Sequence, residues 1–440
     1  MKKLSIAVFV ALVGAAVIVP GGHALAGEVS ERADGGRRWD GPLEDFLGAP
    51  SFQIQKKVIE KGDASPLMLV TTKGAVLAMF GDGSLRRSED GGETWGELIR
   101  PEPSSGVKGW LVNDFTGEIL YFREVVKDKD KKNHDRVVRD EQGRGTLPYH
   151  ISRDDGKTWT YVDTSPLSPD CNGNIPFMRK SEHGITLRYG KHAGRLLRPA
   201  RDQTVGKGQQ EYHTNYNTAL YSDDNGKSWQ TTAPFPFLGT GEGAVVELSD
   251  GTVYYNSRRH WAKRKEGDPD QGGHLARDAY KRWIAWSHDG GETWVDGAKC
   301  EILPDGVQDD GDPKTDSSPY GNMAGLVRLP ISGRNIVLYS NCDNAGHRLH
   351  DRKKGTVWVS FDGAKTWPVK RLVDAGTFWY SSMDAGRPRT QSEGMIYLGY
   401  DAGESLSVAR FNLSWLVDTD DGAVLTGDGD IPAWLTDALR

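Results

Sequence analysis

The side chains that recur in this sequence at fixed spacing and could do chemistry are an acid, a hydroxyl and an indole. The pattern Ser-x-Asp-x-Gly-x-x-Trp occurs five times, at Ser88 to Trp95, Ser152 to Trp159, Ser222 to Trp229, Ser287 to Trp294 and Ser360 to Trp367; the last has Ala364 in place of Gly. The same residues suit a tight hairpin. Asp can accept a hydrogen bond from the backbone two residues on, Gly is free to take a positive φ, and Trp buries beneath the turn. Acids and indoles engaged in this way hold hairpins and are not candidates for catalysis.

Other reactive types are sparse or badly spaced. Cys171, Cys300 and Cys342 are the three cysteines, an odd number without metal-ligand spacing, so at most one disulfide forms and no metal site is expected. The acidic stretch from Asp418 to Asp430 lacks the Gly and terminal Glu of an EF-hand loop. No cofactor motif is present. Fourteen Trp are compatible with a sugar-binding face, although five of them belong to the repeats.

The elements that must position any site follow from the repeat interval. Box-to-box distances of 64 to 73 residues are too long for one hairpin and suit a four-stranded sheet with one long connection, so each box marks one blade of a β-propeller. Gly74 to Phe80, Gly251 to Asn256, Asn335 to Ser340 and Met395 to Tyr400 are short, β-branched or aromatic runs bounded by turn residues, as strands require. The segment Leu406 to Leu416 reads as a late strand that helps close the ring, with the acidic tail packed outside it. Lys2 and Lys3, an apolar run from Leu4 to Pro20 and Ala24-Leu25-Ala26 predict a signal peptide over residues 1–26. Residues 27–440 are then one all-β domain, a six-bladed propeller with short N- and C-terminal extensions, secreted or periplasmic and without a membrane span. The net charge of −6 becomes more negative once the two lysines leave, which disfavours nucleic acid and anionic membranes as partners.

Several sequences between the boxes add a specific resemblance. Gly241 to Gly251 followed by Asn256-Ser257-Arg258, then Tyr380-Ser381-Ser382-Met383, then Ala409 to Leu416 resemble the sialidase (exo-α-neuraminidase) superfamily of the secreted bacterial type. His183 to Arg188 and Gly194 to Pro199 resemble its third blade. The resemblance implies a glycan substrate ending in an acidic sugar and a tyrosine nucleophile at Tyr380, with Glu242 as the partner that takes its proton. It also implies arginines that hold the substrate carboxylate: Arg258 in the Asn-x-Arg context, and Arg352, or Arg348 if the loop is shifted. The implied chemistry is sound. A carboxylate on the anomeric carbon would repel an Asp or Glu nucleophile, a neutral phenol avoids that repulsion, and planar bidentate cations suit a carboxylate. A phenol with an ordinary pKa of about 10 needs a base beside it to react near neutral pH.

The resemblance also has gaps. Ala64 in Ala64-Ser65-Pro66 stands where the family has its first arginine, and the upstream Phe52-Gln53-Ile54-Gln55 echoes that triplet without a cation. The long excursion that carries the family's acid/base Asp is reduced here to Gly81 to Leu85, leaving Asp82 as the candidate acid. Arg86, Arg87, Arg179, Arg188 and His260 are possible replacements for the missing groups. The leading expectation is an exo-glycosidase that releases a terminal sialic acid or related acidic sugar with retention. Two alternatives remain open: a carbohydrate-binding propeller that has lost catalysis, and a uronate-directed lyase in which Tyr380 and His260 abstract the C5 proton.

Overall fold

The computed structural model of the protein describes residues 39–61, 65–102, 107–123, 138–139, 141–142, 144–163, 165–176, 182–202, 215–259, 281–307, 321–345 and 351–440. The leader-like segment, Ala64, Arg179, His260 and Arg348 therefore lie outside the described residues. Short strands cannot bury both faces alone, and here they pair antiparallel into six blade sheets and one small ribbon of Val138–Arg139 with Gly145–Thr146.

Blade one comprises Leu67–Val70, Val76–Met79 and Leu85–Ser88. Blade two runs Val107–Val112, Ile119–Arg123, Tyr149–Ser152 and Thr160–Val162, and blade three Ile185–Thr186, Leu196–Asp202, Tyr216–Ser222 and Gln230–Thr231. Blade four is Thr240–Glu247, Val253–Arg259, Lys281–Ser287 and Val295–Pro304. Blade five is Gly325–Arg328, Val337–Cys342, Lys353–Ser360 and Val369–Thr377. Blade six holds Ser381–Ala385, Ile396–Asp401 and Leu406–Phe411, completed on its outer edge by Phe52–Ile59 from the other end of the chain. The first strands of the six blades touch one another in sequence around a closed ring, blade six against blade one and each next blade against its neighbour. This is a six-bladed β-propeller.

Two expectations for the chain ends change. Leu406 to Leu416 is not one strand: it ends at Phe411, and Leu413–Val417 forms a short helix capped by the Asn412 side chain. The ring is closed by Phe52–Ile59, with Phe52 opposite Phe411 and Ile54 opposite Ala409. The Phe52 to Gln55 echo of an arginine triplet is thus an outer strand with no access to the channel. The acidic tail does pack outside: Ala423–Leu425 pairs with Val369–Thr377 as a fifth strand, and Asp428 accepts from the Trp367 N–H at 2.9 Å.

The boxes are the hairpins between the third and fourth strands of blades two to five; in blade one the box follows the third strand and leads to a single bridge between Leu85 and Ile99, and blade six needs none because its outer strand arrives from upstream. In every box the Ser hydroxyl donates to the Asp at 2.7 to 2.9 Å and accepts from the N–H four residues on at 2.8 Å. The Asp accepts from the backbone four residues on, not two, for instance Thr94 N at 2.9 Å and Thr366 N at 3.0 Å. Ala364 takes φ 70° where the other boxes have Gly, a strain of about 1 to 2 kcal/mol that its buried methyl helps offset.

The core lies between blades. Leu69 and Leu77 of blade one pack with Trp110, Ile119 and Tyr121 of blade two, and Leu120 and Phe122 with Leu196, Leu220 and Trp229 of blade three. Fully burying one such side chain is worth about 1.5 to 3 kcal/mol, so the ring is held without cross-links. Cys171, Cys300 and Cys342 are free thiols. Among the described residues no helix is long and apolar enough to cross a membrane.

Candidate active site

All six inner strands begin at the same end of the channel, and the functional side chains come from strand ends there. Glu242 stands near the start of Thr240–Glu247, Arg258 near the end of the strand antiparallel to it, Arg352 just before Lys353–Ser360, and Tyr380 just before Ser381–Ala385. Residues two apart on a strand share a face, so Asn256 and Arg258 point the same way. Asn256 Oδ1 accepts from Arg282 Nε at 2.6 Å, and Arg282 pairs with Asp305 at 2.9 Å. These contacts anchor the strand end from which Arg258 projects.

The structure brings four of the sequence-predicted residues together. The Tyr380 hydroxyl donates to Glu242 Oε1 at 3.2 Å, and Arg258 Nη1 pairs with Glu242 Oε2. The Arg352 guanidinium lies 5.5 Å from the centre of the Tyr380 ring and donates to the Gly321 carbonyl. Gly321 is required there: a Cβ on it would stand 2.6 Å from Arg258 Nε.

The charges follow from this packing. Burial pushes the Glu242 carboxyl up, but Arg258, then Arg201 and Arg352, outweigh it and hold the group below its ordinary value as an anion. Burial and the Glu242 charge push the Tyr380 phenol up, against the opposing pull of Arg258 and Arg352. Arg352 is pulled down by burial and then by its like-charged neighbour Arg258. Two guanidiniums close enough to repel each other beside one carboxylate leave an excess of positive charge, which favours a second anion.

The other expected residues fall elsewhere. Both Asp82 oxygens are engaged within its own hairpin, accepting from Ser84 N at 2.8 Å and Ser84 Oγ at 3.0 Å, so the candidate acid is part of a turn. Arg86 donates to the Gly96 carbonyl at 2.6 Å, and Arg87 pairs with Asp155 of the second box. Arg188 lies past the far end of its inner strand, paired with Asp114 at 2.7 Å, at the opposite mouth of the channel. A partly open cavity of about 70 Å³ lies at that mouth, lined by Asp114, Arg188, Glu247, Arg328 and Arg387, and Tyr380 is not part of its lining.

Sequence reasoning missed Arg201. It lies on Leu196–Asp202 opposite Asn217, whose side chain donates to Ser257 at 2.7 Å, and its charge reaches Glu242. The Arg198-Pro199-Ala200-Arg201 run was visible, but nothing in the sequence shows that blade three's second strand abuts the Glu242 strand.

The chain matches the BNR repeat-like domain family over residues 108–393. It is 28% identical over 432 residues to a sialidase of Micromonospora viridifaciens, covering 92% of this chain and 56% of that protein. It is 23% identical over 271 residues to an anhydrosialidase of Macrobdella decora, covering 58% of this chain and 30% of that one. The chain thus spans about half or less of the length of these curated relatives. Among solved structures it is similar in fold to a Hadza microbial sialidase, with a TM-score of 0.55 and 19% identity over 80% of this chain and 66% of the other. Five boxes in a six-bladed ring, the domain match over most of the chain and these relatives agree: the protein belongs to the sialidase superfamily, in its branch built from BNR repeats.

Proposed function

We propose that the protein is a secreted or periplasmic exo-glycosidase of sialidase type that removes a terminal sialic acid or a related acidic sugar from a glycan. The observation that carries this reading is the Tyr380 hydroxyl 3.2 Å from Glu242, with Arg258 and Arg352 crowded beside both. The two guanidiniums hold the sugar carboxylate. Once it binds, Arg258 divides its charge between two anions, and Glu242 becomes a better base for the Tyr380 proton.

Tyr380 oxygen then forms a bond to the anomeric carbon as the bond from that carbon to the leaving oxygen breaks, and the phenol proton passes to Glu242. Water then displaces the tyrosine from the sugar, its hydroxyl going to the anomeric carbon; Glu242 returns the first proton to the phenolate, and the proton lost by the attacking water neutralises the hydroxide left when the leaving oxygen was protonated by water. Two inversions give net retention. Proton NMR during hydrolysis of an aryl α-sialoside, with an aryl uronide in parallel, tests the reading: the α-anomer of the free sugar is expected first. Release of the β-anomer first, or an unsaturated product, would refute it.

Because Asp82 is engaged in its turn, the leaving oxygen takes its proton from water. General-acid assistance is worth about 10²- to 10⁴-fold, so aryl sialosides with acidic leaving groups should be cleaved faster than alkyl sialosides by about that ratio. Asp82→Asn should change kcat/KM on an aryl sialoside by less than about twofold. A drop of about 10²-fold or more would restore Asp82 as the acid. The same observation supports a second reading, a propeller that binds acidic glycans without cleaving them, for which retention on a glycan array without released sugar is the signature.

A further inference from the structure

Directly beneath Tyr380 the channel is crossed by a buried pair that the reaction does not use. Glu182 and His183 precede the inner strand of blade three and reach blade six, which stands opposite in the ring. The Glu182 side chain is fully buried and the His183 side chain 6% exposed. His183 Nε2 lies 2.8 Å from the Met383 carbonyl, and its Nδ1 lies 3.0 Å from the Gly184 carbonyl. Carbonyl oxygens only accept, so a ring with both nitrogens facing them must carry a proton on each. A neutral imidazole would set a lone pair against a carbonyl in a buried site.

The pair also spans the two strands that carry the site. Glu182 N donates to Gly243 O at 3.2 Å, one residue from Glu242. Its Oε1 accepts from Ser382 Oγ at 2.5 Å and Met383 N at 3.3 Å, two and three residues from Tyr380, while Oε2 is buried with no hydrogen-bond partner among the described residues. We propose that His183, held as an imidazolium by Glu182, is a positioning residue whose cross-channel bond to Met383 sets the distance between the Tyr380 hydroxyl and Glu242. Only the kinetic part of the test rests on Tyr380 and Glu242 being nucleophile and base.

The surrounding charges favour the cation. Glu182 lies 3.6 Å from the ring, and Asp384 faces it from the blade-six strand. Asp114 lies beyond, neutralised by Arg188 at 2.7 Å and Arg387 at 3.3 Å. Glu247 across the cavity accepts from the N–H groups of Arg188 and Tyr189, and Arg328 is paired with Asp40. Burial pulls the imidazolium down, but Glu182 and then Asp384 more than offset it and raise it above its ordinary 6.5; burial pushes the Glu182 carboxyl up as well, and the two groups bind and release their protons together. The doubly protonated ring is therefore present below the ordinary value of His and is lost as pH rises through the raised one.

Nitrogen NMR of the full chain labelled in its imidazole rings, with the His183 signals assigned by their loss in His183→Gln, tests this directly. Both ring nitrogens should be protonated at about pH 6, with a midpoint above 6.5, and Glu182→Gln should lower that midpoint by about one unit. A single-tautomer neutral ring at about pH 6, or a midpoint unmoved by Glu182→Gln, overturns the proposal whether or not the protein cleaves sialosides. On an aryl sialoside, His183→Gln should lower kcat about tenfold with KM within about twofold, and Glu182→Gln should move the alkaline limb of kcat to lower pH. An alkaline limb unmoved in Glu182→Gln, which keeps the ring and the shape if His183→Gln fails to fold, overturns the positioning role.

Discussion

Tyr380→Phe is expected to lower kcat on an aryl sialoside by about 10⁴- to 10⁶-fold, the scale seen when a nucleophile is removed, while binding of an unreactive sialic-acid analogue changes by less than about threefold. The substitution removes one oxygen. The ring that Arg352 covers at 5.5 Å stays, as does the backbone bond from Asp401 N to the Tyr380 carbonyl at 2.9 Å. What is lost is the atom proposed to form the glycosyl bond, which is also the partner of Glu242 Oε1. Rapid-quench kinetics and calorimetric titration separate the two effects. Unchanged turnover in Tyr380→Phe would remove this residue from the mechanism and leave Glu242 without a proton to accept.

Arg258→Met should produce the second large effect, and in two observables. Breaking a buried pair by removing one partner costs about 3 to 5 kcal/mol, because the remaining charge is stranded, and Glu242 with Arg258 is such a pair. The pH dependence gives the sign. In the native protein the Glu242 carboxyl is held below its ordinary 4.5, so its contribution to stability is present above that pH and is lost as pH falls through the lower value. Without Arg258 burial becomes the larger influence, the carboxyl moves up, and its contribution is present only in acid. The deficit of Arg258→Met against wild type should be largest near neutral pH and shrink below about 4.5, as read by urea unfolding across pH. Affinity for a sialic-acid analogue should fall about 10- to 150-fold through loss of one charge-assisted contact. Equal stability of the two proteins at neutral pH would mean that Glu242 is held by Arg201 and Arg352 alone.

Much of the scaffold could be read in advance because it is written locally. Each box carries its turn, its indole and its spacing within eight residues, and the strands beside Val76, Val253, Val337 and Ile396 announce themselves by composition. Tyr380, Glu242, Arg258 and Arg352 were reached through short contexts that the fold then gathers at one channel mouth. What escaped was set by distance in the chain. Phe52 to Gln55 resembled an active-site triplet because its apolar alternation is that of any strand, and only its pairing with Leu406–Phe411 shows it to be an outer edge. Arg201 and the Glu182–His183 pair act across blade boundaries, where one-dimensional spacing carries no information. Asp82 lies on the five-residue connection between Val76–Met79 and Leu85–Ser88, and the Ser84 contacts hold it in its turn.

The strand Phe52–Ile59 gives the ring a temporal order. Its partner Leu406–Phe411 lies some 350 residues later, so the contact that seals blade six has among the longest sequence separations in the molecule. Such pairings close late, after the loop entropy between them has been overcome, and during synthesis the first strand must wait for nearly the whole chain to emerge. Tyr380 sits at the head of the blade that this event completes. On the proposed mechanism, chemistry is thereby reserved for molecules that have finished folding, and a chain truncated before Leu406 would hold an unpaired edge beside Tyr380.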